Sequence, residues 1–380
     1  MGLRRVLNDI RSATGGHRPV KAGHYEYLVA VSIVRMGSRR LAAAGAVACV
    51  ISAWLLTALP RAATTLPPRL TDREFWQLSV DASEPDGYFR SDNLTSNETG
   101  FLRVVPELVT RTRPGQVYLG VGPEQNFSYI AATRPAFAII FDIRRGNLLV
   151  QLMYKAIFEL TKDRADFVSM LFSRPRPERL TADTPVTDLF AAPGATGNDE
   201  ALYERNLKAI LDRLVKFHGL PLTPREQDAL ARIYRVFFDR GAAVRFSPTY
   251  ADLMTATDDA GVFRSFLASN ASFAFLRELE ANNLVVPVVG DFGGPRAIRS
   301  VAAYLKTRGA TVGAFYLSNV EQYLYQDGKW PAFCRNVAML PLDASSTFIR
   351  STSGRGAGFG VGFVSSLGSM ATETRSCPAQ

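Results

Sequence analysis

Two glycines and a following acid mark where this chain could do chemistry. Gly120 and Gly122 close the apolar run Val117-Tyr-Leu-Gly-Val121, and Pro123-Glu124-Gln125-Asn126 leads into a helix expected to end near Thr133. Glycine lets a backbone turn tightly and lets a ligand come close to it. A second apolar run, Phe137 to Phe141, ends on Asp142, 22 residues after Gly120. An acid in that place suits the paired hydroxyls of a ribose. Gly120, Gly122, Glu124, Asn126 and Asp142 are therefore candidate ligand-binding residues. Asp291, in the turn Gly290-Asp-Phe-Gly-Gly294, joins them.

Three further residues are candidates for catalysis. Arg144, beside Arg145, could clamp a phosphate or carboxylate with two parallel bonds. Asn319 and Glu321 follow the apolar run Val312 to Leu317. Asp142, Asp291 and Glu321 could each act as a general base, hold a ribose or ligate a hard divalent cation. Each residue also has a plainer use. Asp142 and Asp291 could cap the next helix, with the arginines paired to them. Asn319 could be a helix cap, with Gln322 three residues on.

These side chains converge only if the elements behind them form one sheet. Strands are expected at 117–121, 137–141, 283–289 and 312–317, with 333–340 and 346–350 closing the sheet. Helices are expected between them, including a lead-in at 102–111, one at 147–160, and a helical insertion at about 165–280 that runs from 252 to 282 at its end. Thr71 with Glu74, and Thr223 with Pro224 and Glu226, read as helix starts. The fold class expected is α/β, a doubly wound, mostly parallel Rossmann-like sheet with a helical cap. Its ligands would sit beyond the carboxyl ends of the strands. The loop-like stretch 81–100 lies close to that edge, and the glycine-rich stretch 354–368 reads as a loop or irregular edge.

The chain has 380 residues and a net charge of +9. Residues 1–62 hold nine basic and two acidic residues, which leaves +2 for the remainder. No nucleic-acid partner is expected of so nearly neutral a body. Of the histidines His17, His24 and His218, only the last lies beyond the N-terminal segment, so a His-rich zinc site or a two-His iron site cannot be built, and no metal is expected. His218 reads as a helix C-terminal cap. Cys334 and Cys377 are either bonded, as in an exported domain, or two separate thiols.

Leu41 to Leu59 is an uncharged apolar run of 19 residues behind Arg39-Arg40 and before Pro60-Arg-Ala-Ala63. It reads as a signal peptide or a membrane anchor spanning about 36–63, with Met36 an alternative start and 1–35 an extension or cytoplasmic tail. The domain is then exported or tethered by a single pass, and the membrane is a partner only if the segment stays uncleaved. Residues 64–100 are linker and lead-in, 101–350 the sheet domain, and 351–380 a glycine-rich tail.

Tyr118-Leu-Gly-Val-Gly-Pro-Glu-Gln-Asn-Phe127, Asp142-Ile-Arg-Arg-Gly-Asn147, Gly290-Asp-Phe-Gly-Gly294 and Phe315-Tyr-Leu-Ser-Asn-Val-Glu-Gln-Tyr-Leu324 resemble an uncharacterised bacterial family. Its core is similar to the class I S-adenosylmethionine-dependent methyltransferases. The resemblance implies S-adenosylmethionine as cofactor, with Gly120 and Gly122 along its methionine part, Asp142 on its ribose and Asp291 near its adenine. Pro123-Glu-Gln stands where the usual third glycine falls. The expected function is a nucleotide-type ligand-binding, methyltransferase-like protein acting on a small molecule. The alternatives are an exported or tethered binding protein without catalysis, and a hydrolase using a carboxylate pair and a cation.

Overall fold

The computed structural model describes residues 64–191, 197–244, 248–353 and 363–377. The N-terminal extension, the signal or anchor segment at 36–63 and most of the glycine-rich stretch lie outside these residues. Among the described residues no helix is long and apolar enough to cross a membrane.

Six strands form one sheet: β1 (Val117–Val121), β2 (Phe137–Asp142), β3 (Val285–Val289), β4 (Val312–Ser318), β5 (Thr347–Ser353) and β6 (Phe363–Ser369), in the order β3-β2-β1-β4-β5-β6. The first five run parallel and β6 pairs antiparallel with β5. This is a doubly wound α/β fold. β2 and β3 are buried along their whole length, as strands covered on both faces must be. The order reverses at β1, with β2 on one side and β4 on the other, and such a switch point opens a crevice beyond the strand ends.

Helices at Gln125–Thr133, Arg145–Leu160, Ala297–Lys306 and Val320–Gln326 follow β1 to β4. Both expected N-terminal boxes are present, Thr71 with Glu74 and Thr223 with Glu226. The insertion is helical but broken. Between helices Tyr250–Met254 and Asn270–Ala281 the chain makes turns and an isolated Thr257–Phe263 bridge.

Two expectations are corrected. Phe333 to Leu340 is not a strand; the chain forms a helix over Trp330–Ala338, with Pro331 in its first turn and Phe333, Cys334 and Val337 on one buried face. Apolar residues four apart make a helical stripe, and a strand would have placed Phe333 and Val337 on the same side only by also burying Arg335. Part of the glycine-rich stretch is strand β6. It lies at the sheet's outer edge with mostly half-exposed residues, so it lacks the apolar run that marks the inner strands. A Cys334–Cys377 disulfide ties the end of the described chain to the Trp330–Ala338 helix.

Candidate functional site

A crevice of about 1030 Å³, including its open mouth, lies at the carboxyl ends of β1 to β4. Gly122 forms its floor at the end of β1. Its φ of +81° is easy for glycine and costly for other residues. Its carbonyl accepts from the side-chain amides of Asn147 at 3.0 Å and Gln151 at 2.9 Å. The turn is therefore fixed in place without a ligand.

Three of the expected ligand-binding residues hold this turn and do not line the crevice. At Gly120 an added Cβ would lie 1.8 Å from Asn126 Oδ1 and 2.8 Å from the Tyr118 ring, so this glycine makes room for its neighbours. Asn126 accepts from the Tyr118 hydroxyl at 2.9 Å and donates to the carbonyls of Val121 at 3.0 Å and Pro123 at 2.7 Å. The fully buried Glu124 carboxylate accepts the Ser96 N–H at 3.0 Å.

Asp142 and Asp291 line the crevice at the ends of β2 and just beyond β3. Asp142 accepts from the Arg144 backbone N–H at 2.9 Å, from its Nε at 3.1 Å and from its Nη2 at 3.2 Å. Burial pushes the Asp142 carboxyl up from its ordinary value, and Arg144 opposes the rise. Arg144 also lines the crevice, but its Nη1 donates to the backbone carbonyls of Ser91 and Asp92, so its guanidinium holds the loop as well as the acid. Asp291 accepts the Gly293 N–H at 2.8 Å and pairs with Lys329 Nζ at 2.5 Å. It does not cap the following helix. Glu84 does that, accepting from Arg296 and Ala297 N–H at 2.8 and 3.1 Å.

Asn319 lines the crevice after β4, and its side chain makes no capping bond to the helix behind it. Glu321 points elsewhere. Arg350 from β5 binds both its oxygens, at 2.6 and 3.0 Å, and bridges it to Glu373. An exposed acid next to a strand end is open to any arginine on the neighbouring strand, and β5 supplies one. Glu321 is thus a structural ion pair away from the crevice lining.

The stretch 81–100, read from the sequence only as a loop near the pocket, is helical to Ala82, and from Ser83 onward it crosses the strand ends in sheet order. Glu84 reaches the turn after β3, and Asp86 accepts the Arg145 N–H after β2 at 2.6 Å. Ser91 and Asp92 hold Arg144, Ser96 meets Glu124 beyond β1, and Glu98 reaches β4 and β5. Glu98 is the residue missed by sequence reasoning. It is 1% exposed yet lines the crevice, and its carboxylate accepts from Gln125 Nε2 at 2.9 Å and from the hydroxyls of Ser318 and Ser351. Ser318 carries a φ of +52°, a conformation that costs a non-glycine residue of order 1 kcal/mol or more and that gathers at functional sites. Burial pushes the Tyr316 hydroxyl, also in the lining, well above its ordinary value, and the negative Glu98 adds to the shift.

At the mouth, Phe89 packs edge-on against Tyr323 at 5.2 Å, and Tyr88 is 86% exposed beside it. Among the described residues no group of three or more His, Cys, Asp or Glu side chains is arranged to hold a metal ion. No curated protein matches the chain. A family defined by a domain of unknown function, DUF7790, matches residues 94–369, which takes in Glu98, the glycine turn and every strand. The chain belongs to that family.

Proposed function

We propose that the crevice binds a nucleoside-type ligand of the S-adenosylmethionine class and that the protein is a methyltransferase-like enzyme acting on a small molecule. The observation that supports this reading most is the shared outlook of the Gly122 turn and Asp142, which line one open space from adjacent strand ends. The residues fit such a ligand. A carboxylate offers about four acceptor positions, and Arg144 occupies three at Asp142, so one remains for a ribose hydroxyl. Asp291 and Phe292, one strand further, offer a polar and an aromatic contact where a base would lie. When bound, the ligand supplies an electrophilic methyl group; the protein holds it, orients it and shields it from water. Isothermal titration of the full chain with S-adenosylmethionine and its demethylated product tests this, and no heat at millimolar ligand ends the reading.

A second reading is favoured by one observation, the Cys334–Cys377 disulfide. Disulfides persist in oxidising compartments, where a cytosolic cofactor is not made. Under that reading the domain is exported and binds a small ligand without catalysis. Fractionation with N-terminal sequencing of the mature chain separates the two. A cytosolic domain with free thiols supports the first, and a periplasmic, processed one supports the second.

A further inference from the structure

The crevice has two unequal halves. On the β3–β2–β1 side its charges are matched, Asp142 with Arg144 and Asp291 with Lys329. On the β1–β4–β5 side Glu98 is buried, lines the space and has no cationic partner among the described residues. On that side Arg350 is engaged by Glu321 and Glu373, and Arg90 lies over the Tyr323 ring, 5.3 Å from its centroid. A carboxylate taken out of water is costly unless paired. Three neutral donors offset part of that cost and fix the orientation of the group. They leave its negative charge uncompensated, beside an opening to solvent.

We infer that the β4–β5 half of the crevice is a subsite for a protonated amine, with Glu98 as its counter-charge and Tyr316 as its aromatic wall. Aromatic faces favour a cation, and a charge-assisted hydrogen bond in a dry site is stronger than a neutral one. The substrate class is then a small amine. This deepens the reading above, because it assigns the second ligand of the same crevice. The strained Ser318 has a use in it: its backbone turns the hydroxyl onto Glu98 and away from the ligand.

The test uses the full chain and three probes that share one ring and differ in charge: tyramine, 4-ethylphenol and 4-hydroxyphenylacetate. Titration calorimetry on the wild type is expected to rank them cation, neutral, anion, with tyramine at least about tenfold tighter than 4-ethylphenol. Glu98→Gln, which keeps the shape of the side chain, is expected to remove that preference. Equal binding of tyramine and 4-ethylphenol by the wild type overturns the inference and needs no variant that must fold; so does absence of binding by all three, or a preference that survives in Glu98→Gln. Repeating the tyramine titration with the demethylated cofactor present locates the subsite. Undiminished binding supports a second-substrate site, whereas competition assigns Glu98 to the ammonium of the first ligand and overturns it. If the cofactor gives no heat while the tyramine preference exists and depends on Glu98, the nucleoside reading fails and the amine subsite stands.

Discussion

Among the places where this protein buries charged side chains, two are built on opposite rules. The first lies between the long helix Arg145–Leu160 and its neighbours and has no part in the crevice lining. Lys155, 1% exposed, pairs with Glu159 at 2.8 Å, donates to the Glu280 carbonyl at 2.5 Å and lies 5.1 Å over the Phe75 ring. His218 is held between Glu159 at 2.6 Å and Asp72 at 2.7 Å, and Asn283 completes Asp72 at 2.9 Å. Burial works to raise the Glu159 carboxyl, but the bonds from His218 and Lys155 outweigh it and hold it below its ordinary value. Lys155 pairs with Glu159, and both ring nitrogens of His218 are bonded to carboxylates. The second region, the crevice, leaves Glu98 with donors but no counter-ion, buried yet in the lining of an open space. The paired charges of the first region hold helices together, whereas Glu98 stands without a cation in the lining of an open crevice.

The largest effect is expected from breaking the saturated cluster. Lys155→Met removes the cation between Glu159 and Glu280, and removing one member of a buried charged set typically costs about 3–5 kcal/mol. Urea denaturation should show that loss with an unchanged slope. A loss below about 1 kcal/mol would mean that water already reaches the cluster, and the contrast with the crevice would dissolve.

Next comes the pH response of the same cluster. Burial pushes the Glu280 carboxyl up to about 8, with Lys155 opposing and Glu159 adding to the rise. The folded state therefore keeps a proton that the unfolded chain, near the ordinary value of 4.5, gives up earlier. The stabilisation is fully present below about 4.5 and is lost as pH rises through about 8. The slope between those limits approaches about 1.4 kcal/mol per pH unit. Thermal melts from pH 5 to 8 should show the protein weakening, and Glu280→Gln should flatten the curve. An unchanged curve in the variant places the titration on another group.

The sequence shows the frame of both regions and hides what distinguishes them. Strands β1 to β4 were legible because inner parallel strands are continuous apolar runs, and both capping boxes were legible because their residues are three apart. Asp142 and Asp291 were placed at strand ends by the same local logic. Glu98 was not legible: it lies in an aperiodic stretch, and its partners Ser318 and Ser351 are 220 and 253 positions away. His218 read as a helix cap, and it does follow the turn at Asp212–Phe217. Its two carboxylates come from residues 146 and 59 positions distant, which no local pattern encodes. Glu321 misled for the converse reason. Its position after β4 was right, and an arginine from β5 had taken it.

Within the crevice, Asp142→Asn sharpens the comparison from its matched half. The amide keeps its shape but offers Arg144 a weaker acceptor and loses charge toward a ribose. Binding of the demethylated cofactor should fall about tenfold to a hundredfold, while the tyramine preference stays. A parallel fall in both ligands would make the crevice one site with a shared charge rather than two halves.

The smallest effect on stability is expected from Glu98→Gln, and it is the most informative. Gln at this position keeps an acceptor for the Ser318 hydroxyl and replaces the oxygen that accepts from Gln125 and Ser351 with a donor. It also removes a buried charge that no cation balances. Loss of good hydrogen bonds and relief of desolvation oppose each other, so the net change should stay within about 1 kcal/mol, of either sign. The variant should therefore unfold near the wild-type urea midpoint while losing its preference for a cationic ligand. A cost near that of Lys155→Met would show that Glu98 is already compensated in the folded protein. It would then belong with the saturated cluster, and the crevice would have no unfilled charge to offer an amine.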